Sequence, residues 1–302
     1  MTGSPNEYMK VGLIHFMAYP ECMGGEGPIL ETVTSIANDT FFDAIEITQM
    51  KAPSLRKEVR GILEASRIEP YFGAQPITLG GKLDLNHPQA TERQKAVEAV
   101  ERGIDQAKEL GCGSVGVLSG PVTEDRAAAK ERLIDSLKQL CAYAMQKDIK
   151  IALETFDQVS YGKNCLMGPT AEAVPLSEEV RKEFPEFGLL LDLSHLPLLE
   201  ESAEHALTTA RDHLVHVHIG NCAMDDPDHP AFGDNHPRFG APGTRNDVPE
   251  LVEFLKVLMD IGYLSVGNRR VVSFEVKPLP GEHVAAVIAG SKRTLLEAWR
   301  RL

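Results

Sequence analysis

Short apolar runs rich in β-branched residues alternate with longer amphipathic stretches along the whole chain. The runs are KVGLIHF, DAIEIT, EPYFGAQ, SVGVLSG, KIALET, GLLLDLS, LVHVHIG and RVVSFEV. Such near-continuous apolar runs are expected of strands buried on both faces. Between them, TERQKAVEAVERGIDQAKELG sets Val97, Val100, Ile104 and Ala107 at helical spacing and stops at Gly111. A further helix is predicted after SVGVLSG with Thr123 as its N-cap, and another opens on Asp247 and ends at a glycine. Eight strands in strand–helix order predict one (β/α)8 barrel over residues 1–302. The competing fold is an open, doubly wound sheet. No GxGxxG follows the first run; YPECMGGEGP has the wrong spacing and no phosphate-binding lysine.

Two connections break this regularity. DQVSYGKNCLMGPT after strand five is long, and NCAMDDPDHPAFGDNHPRFGAPGTRND after strand seven is longer, rich in Pro, Gly, Asp and His. In a barrel both lie at the C-terminal face, where active sites form. The histidines, Phe232 and Phe239 of the second loop predict a lid, although no spacing within it makes a self-contained metal site.

Composition narrows the function classes. A formal charge of −13 over 302 residues disfavours nucleic-acid and anionic-membrane surfaces as partners. MTGSPNEYMK lacks the apolar core of a signal peptide, and no run approaches the roughly 20 apolar residues of a membrane span. Cys22, Cys112, Cys141, Cys165 and Cys222 are scattered without a CxxC pair, so a reducing, cytoplasmic location is expected.

The polar residues at the ends of the later strands carry the chemistry. Strand five ends on Glu154, strand six on Asp192 followed by His195, strand seven carries His216 and His218, and strand eight ends on Glu275. A carboxylate at the mouth of an apolar strand is costly to desolvate unless it is paired or bound to a cation. Each of these residues alone has a plain structural explanation, such as an ion pair with Lys163 or Lys277. Four consecutive strands presenting such groups do not. Three carboxylates and one imidazole suit a divalent metal, most naturally Mn²⁺, with Mg²⁺ or Co²⁺ as substitutes. His15, Glu46, Gln75, Asp157, Lys163 and Arg245 are candidates for substrate contact from their places at strand ends and loops.

The motifs LETFD, LDLSH (a D-x-x-H pattern), HVHIGN and SFEVKP resemble the second half of the xylose-isomerase-like barrel superfamily, whose members include ketose 3-epimerases, hydroxypyruvate isomerase and inosose dehydratase. The resemblance implies that Glu154, Asp192, His218 and Glu275 hold one divalent ion. It implies that Glu154 and Glu275 are also the acid and base and that His195 holds substrate; His216, a step deeper on strand seven than His218, is expected to hydrogen-bond a neighbouring ligand or carbonyl. The implied activity is isomerisation or epimerisation of a keto sugar or keto-glycoside, with a proton passed through an enediolate between the two glutamates. The chain departs from the ketose 3-epimerase pattern at Ser160, where those enzymes carry Glu, and at Met224, where they carry Arg. With the long seventh loop, this points to a larger substrate. The resemblance then extends to sugar or inosose dehydratases and to the large subunit of C-glycoside deglycosidases, a lyase with a small β-sandwich partner. A homo-oligomer and a small second subunit are both open on this reading. An endonuclease-IV-like nuclease fits poorly with the charge and the single ligand set. A non-catalytic barrel subunit would have no need of four convergent ligands.

Overall fold

The computed structural model describes residues 3–302. The eight runs form β1 (Lys10–Ile14), β2 (Ala44–Ile47), β3 (Glu69–Gly73), β4 (Ser114–Leu118), β5 (Lys150–Glu154), β6 (Gly188–Asp192), β7 (Leu214–Gly220) and β8 (Val271–Glu275). All pairs are parallel and follow sequence order. β8 closes on β1 through Val11↔Val272 and Gly12↔Ser273. The sheet is thus a closed (β/α)8 barrel, not an open one.

Closure requires interior side chains that fit a narrow lumen. At Gly12 a Cβ would lie 2.3 Å from Ser273 Oγ and 3.3 Å from Ala44 Cβ, so only glycine lets β1 sit this close to its neighbours. Alternation divides β7 between two environments. Val217 and Ile219 join the core between strands and helices, with Leu207, Leu251 and Phe254. His216 and His218 turn into the lumen, where both meet Glu46 of β2.

The helices end as their sequences predict, with one exception. Gly111 (φ 83°) closes Ala90–Leu110, and Asp247 with Glu250 forms a capping box on Val248–Asp260. The helix after β4 begins at Arg126, not at Thr123. Its cap is Asp125, whose carboxylate accepts from the Ala128 amide, while Thr123 Oγ1 donates back to the Asp125 carbonyl. Among the described residues no helix is long and apolar enough to cross a membrane.

Both long loops lie at the C-terminal face and are held from within. In residues 155–169, the Asp157 carboxylate accepts from the amides of Val159, Lys163 and Asn164. Asp157 therefore shapes this turn and is not directed at a substrate. Residues 221–247 are organised around buried Asn221. Its Oδ1 accepts from the amides of Cys222, Arg245 and Asn246, and its Nδ2 donates to the Arg238 carbonyl and Thr244 Oγ1. Asn246 fastens the far end to the carbonyls of Leu193 and Gly220.

Candidate active site

Glu154, Asp192 and Glu275 are the last residues of β5, β6 and β8, and His218 sits in register with Asp192. The stagger of the strands pairs Glu154 with Leu190 and Glu275 with Gly220, yet all four side chains converge at the barrel mouth. All four are buried, and one donor atom from each lies within 4.8 Å of the others.

Most of these side chains have one polar atom held by a neighbour and another left free. Gln75 Nε2 donates to Glu154 Oε2 at 2.7 Å. The Ser194 amide and Oγ donate to Asp192 at 2.8 and 2.6 Å. His218 Nε2 lies 3.1 Å from each oxygen of Glu46. Glu154 Oε1, His218 Nδ1 and Glu275 Oε2 remain buried without a hydrogen-bond partner. Yet His218 Nδ1 is 2.9 Å from Glu275 Oε2 and 3.5 Å from Glu154 Oε1. A buried polar atom left unpaired costs about 1–3 kcal/mol, more when charged. Convergence of three such atoms fits a cation bound among them, and an oxygen-rich set with one nitrogen fits a hard divalent ion.

The electrostatics agree. Burial and then the nearby Glu275 push the Asp192 carboxyl above its usual range. Burial works against charge on His218, but the carboxylates of Glu46, Glu154 and Glu275 outweigh it and hold the imidazole well above its ordinary value. Both shifts express an excess of negative charge that a cation would relieve.

Several candidates from the sequence are placed differently. His216 lies a step deeper than His218, in register with Leu190, and its Nε2 is 2.7 Å from Glu46 Oε1. Glu46 is therefore not a substrate contact. It lies beneath the site and joins the two histidines, because β2 directs it into the lumen. His15 starts a helical turn after β1 and turns to Thr32 Oγ1 at 2.7 Å; burial lowers its pKa to about 4. It pins that turn to the helix Ile29–Ala37 and does not line the cavity. Arg245 is on the outer side of its loop, paired with Asp225 at 2.8 Å, and also leaves the cavity wall. His195 is buried behind the cavity wall, its Nδ1 2.8 Å from the Thr155 carbonyl. Lys163 does line the cavity, with its Nζ 3.0 Å from the Asp234 carbonyl oxygen.

The seventh loop forms part of the cavity wall. Asp234, Asn235 and His236 line it beside Glu154, His218 and Glu275. Phe239 packs against Phe274, and Phe232 stacks on Tyr161 at 4.6 Å. His229 bonds the Pro242 carbonyl, and Arg238 pairs with Glu282, so neither faces the site. The cavity is about 720 Å³, within the range that holds a drug-sized ligand. Opposite the charged wall stands an apolar one of Ile14, Phe16, Met17, Met23, Pro76 and Ile77. A second cavity of about 820 Å³ opens at the other end of the barrel among surface ion pairs such as Lys10–Glu69 and Lys150–Glu186. Among the described residues, the four converging side chains Glu154, Asp192, His218 and Glu275 do not line it.

Four residues contribute in ways the sequence does not mark. Gln75, expected at a strand end in contact with substrate, instead opens a helix and holds Glu154. Ser194 fixes Asp192. Asp234 and His236 enter from an irregular loop in which no local spacing singles them out.

Known proteins share this architecture. A probable ketose 3-epimerase from Synechocystis sp. is 28% identical over 234 residues, covering 74% of this chain and 75% of that protein. The crystal structure of a D-tagatose 3-epimerase-like protein superposes with a TM-score of 0.74 at 21% identity, covering 97% of this chain and 98% of the other. The structure of 3-keto-D-glucoside 4-epimerase from E. coli does so with 0.69 at 18%, covering 95% and 98%. The family model described as xylose isomerase-like TIM barrel matches residues 36–290. With that match spanning most of the barrel, the chain belongs to the xylose isomerase-like TIM barrel family.

Proposed function

We propose that the protein is a divalent-metal-dependent isomerase or epimerase that moves a proton on a keto sugar or keto-glycoside. The observation that carries this reading is the convergence of Glu154 Oε1, His218 Nδ1 and Glu275 Oε2, buried and unpaired, on one wall of a substrate-sized cavity. Glu154, Asp192, His218 and Glu275 would hold the ion, with Mn²⁺ the best match to the donor set. When bound, such an ion polarises a carbonyl and offsets negative charge on the adjoining oxygens.

The remaining chemistry falls to the side chains. Glu154 and Glu275 stand on strands three apart in the ring, so they approach a bound sugar from different sides. One carboxylate removes the proton from the carbon beside the carbonyl. The other gives a proton back, to the opposite face for epimerisation or to the neighbouring carbon for isomerisation. Gln75 fixes the rotamer of Glu154 through its 2.7 Å hydrogen bond. Lys163 and Lys277, both on the cavity wall, supply donors to sugar hydroxyls. The apolar wall favours a glycoside over a free ketose, since a free sugar has little apolar surface to set against Phe16 and Met17.

The test is hydrogen exchange in D₂O with added Mn²⁺, across free ketoses and 3-keto-glycosides. Deuterium should enter the carbon beside the carbonyl of at least one keto-glycoside. Release of the aglycone in the same experiment would identify the lyase variant of this chemistry. No exchange into any member of the panel would refute the proposal.

A further inference from the structure

The cavity at the other end of the barrel has a charge pattern that the reaction above does not use. We propose that it binds the phosphate group of a small molecule through Arg181, Arg211 and Arg270. The four converging side chains of the barrel mouth do not line it, so a ligand there is independent of the proposed reaction.

The starts of the strands ring this cavity. Lys10, Glu69, Ser114, Lys150, Leu214 and Val271 are the first residues of β1, β3, β4, β5, β7 and β8, and all line it. Its volume of about 820 Å³ lies in the range that holds a small organic ligand. Six cationic side chains face three carboxylates on its lining, in a chain whose formal charge is −13. At physiological salt a charge is felt over about 8 Å, so this local surplus, not the net charge, decides what enters.

Half of those cations are committed to a carboxylate. Lys10 pairs with Glu69, Lys150 with Glu186, and Arg269 with Asp43. Asp212, the third carboxylate of the lining, is exposed. Among the described residues, Arg181, Arg211 and Arg270 have no ion-pair partner. Two of these guanidiniums are held by backbone instead. Arg270 Nη1 donates to the Leu214 carbonyl at 2.8 Å, and its Cζ stands 5.2 Å from the centre of the Tyr263 ring. Arg181 Nη1 donates to the Asp212 carbonyl, and Arg211 precedes Asp212 in the chain. The two carbonyls are two residues apart, so the three arginines gather along one short segment. A guanidinium has five N–H donors, and a carbonyl engages it without neutralising it. Fixed in this way, the group loses little freedom when it takes up an anion, and its planar fork matches phosphate oxygens.

The floor suits a polar body attached to the phosphate. His216 reaches it from the lumen, with the Tyr71 ring edge-on at 5.0 Å. Tyr71 Oη donates to Glu69 Oε1 at 2.6 Å, and Ser114 and Asn268 add a hydroxyl and an amide to the lining. Free phosphate and a phosphorylated metabolite share the guanidinium contacts and differ in their use of this floor.

The experiment is a calorimetric titration with inorganic phosphate, glucose 6-phosphate and glucose in about 0.15 M NaCl, where distant charges are screened. The protein is first freed of divalent ions, so that no phosphate binds through a metal. One equivalent of a phosphate probe should bind with Kd below about 1 mM, and glucose should not bind. Tighter binding of glucose 6-phosphate would support a phosphorylated metabolite as the ligand, and equal affinity would support free phosphate. Arg181→Gln and Arg211→Gln should each weaken binding by at least about 10-fold. Arg270→Gln should do the same, with melting temperature as the check on folding because its guanidinium also anchors Leu214. Arg102→Gln makes the same charge change at an exposed position of the helix Ala90–Leu110 and should leave the affinity within about twofold. Absence of binding by both phosphates, or full affinity in the Arg181 and Arg211 variants, would overturn the site. A loss in Arg102→Gln as large as theirs would overturn it too, since the general field of the protein would then account for the binding.

Discussion

Changing Glu46 to Gln isolates the influence of a buried carboxylate on the proposed metal site. Glu46 Oε1 is 2.7 Å from His216 Nε2, and both oxygens lie 3.1 Å from His218 Nε2. Gln keeps the shape and one acceptor, but it removes the charge and turns one acceptor into a donor facing an N–H. Loss of a carboxylate behind a ligating imidazole weakens ion binding by about 10–100-fold. That corresponds to about 1.4–2.7 kcal/mol. A second effect opposes it. After burial, Glu46 is the foremost influence on the His218 proton, and it raises that pKa. The incoming ion must displace this proton, which the variant holds less firmly. The displacement matters only below the raised pKa, so the defect should be largest at alkaline pH and shrink as pH falls. Calorimetric titration with Mn²⁺ from about pH 6 to about pH 9 reads both effects. A buried N–H left without an acceptor should also lower stability by about 1–3 kcal/mol, visible in a chemical melt. A folded variant whose Kd for Mn²⁺ stays within about threefold of wild type at every pH would refute the reasoning, since even the low end of the expected effect is tenfold.

Other outcomes follow from the packing. Asn221→Ala removes the hub of five hydrogen bonds in residues 221–247 and should cost about 2–4 kcal/mol, with limited proteolysis now cutting inside that loop. An uncut loop in a stable variant would contradict the anchoring described here. Gly12→Ala forces a Cβ against Ser273 and should destabilise by about 1–3 kcal/mol in urea, with the double change Gly12→Ala, Ser273→Gly recovering much of the loss. His15 is buried neutral, with its pKa lowered from 6.5 to about 4. The unfolded chain therefore binds its proton first. Its contribution is complete above pH 6.5 and is lost as pH falls toward 4, up to about 3 kcal/mol. His15→Gln should flatten that part of the stability–pH curve.

The barrel was legible in the sequence because eight buried strands leave eight apolar runs, and periodicity survives without tertiary information. The convergence of Glu154, Asp192, His218 and Glu275 was legible because three of them end apolar runs and the fourth lies near the end of one, where burial of a polar group needs a reason. What escaped depends on through-space meetings. Glu46 and His216 touch across the lumen although they are far apart in the chain, and only barrel closure joins them. His15 and Arg245 occupy plausible mouth positions, but one local turn and one surface ion pair direct them elsewhere. Asp234 and His236 lie in a loop without periodicity, positioned by side-chain hydrogen bonds that no spacing rule encodes. Thr123 and Asp125 are both good caps, and the choice between them rests on where the helix can begin.

The most direct measurement is deuterium exchange at the carbon beside the carbonyl of a keto-glycoside, comparing wild type with Glu154→Gln and Glu275→Gln at saturating Mn²⁺. If the two glutamates take and return the proton, exchange by wild type is rapid and each variant loses about 10²–10⁴-fold. Near-wild-type exchange by either variant, with the ion still bound, would contradict the account.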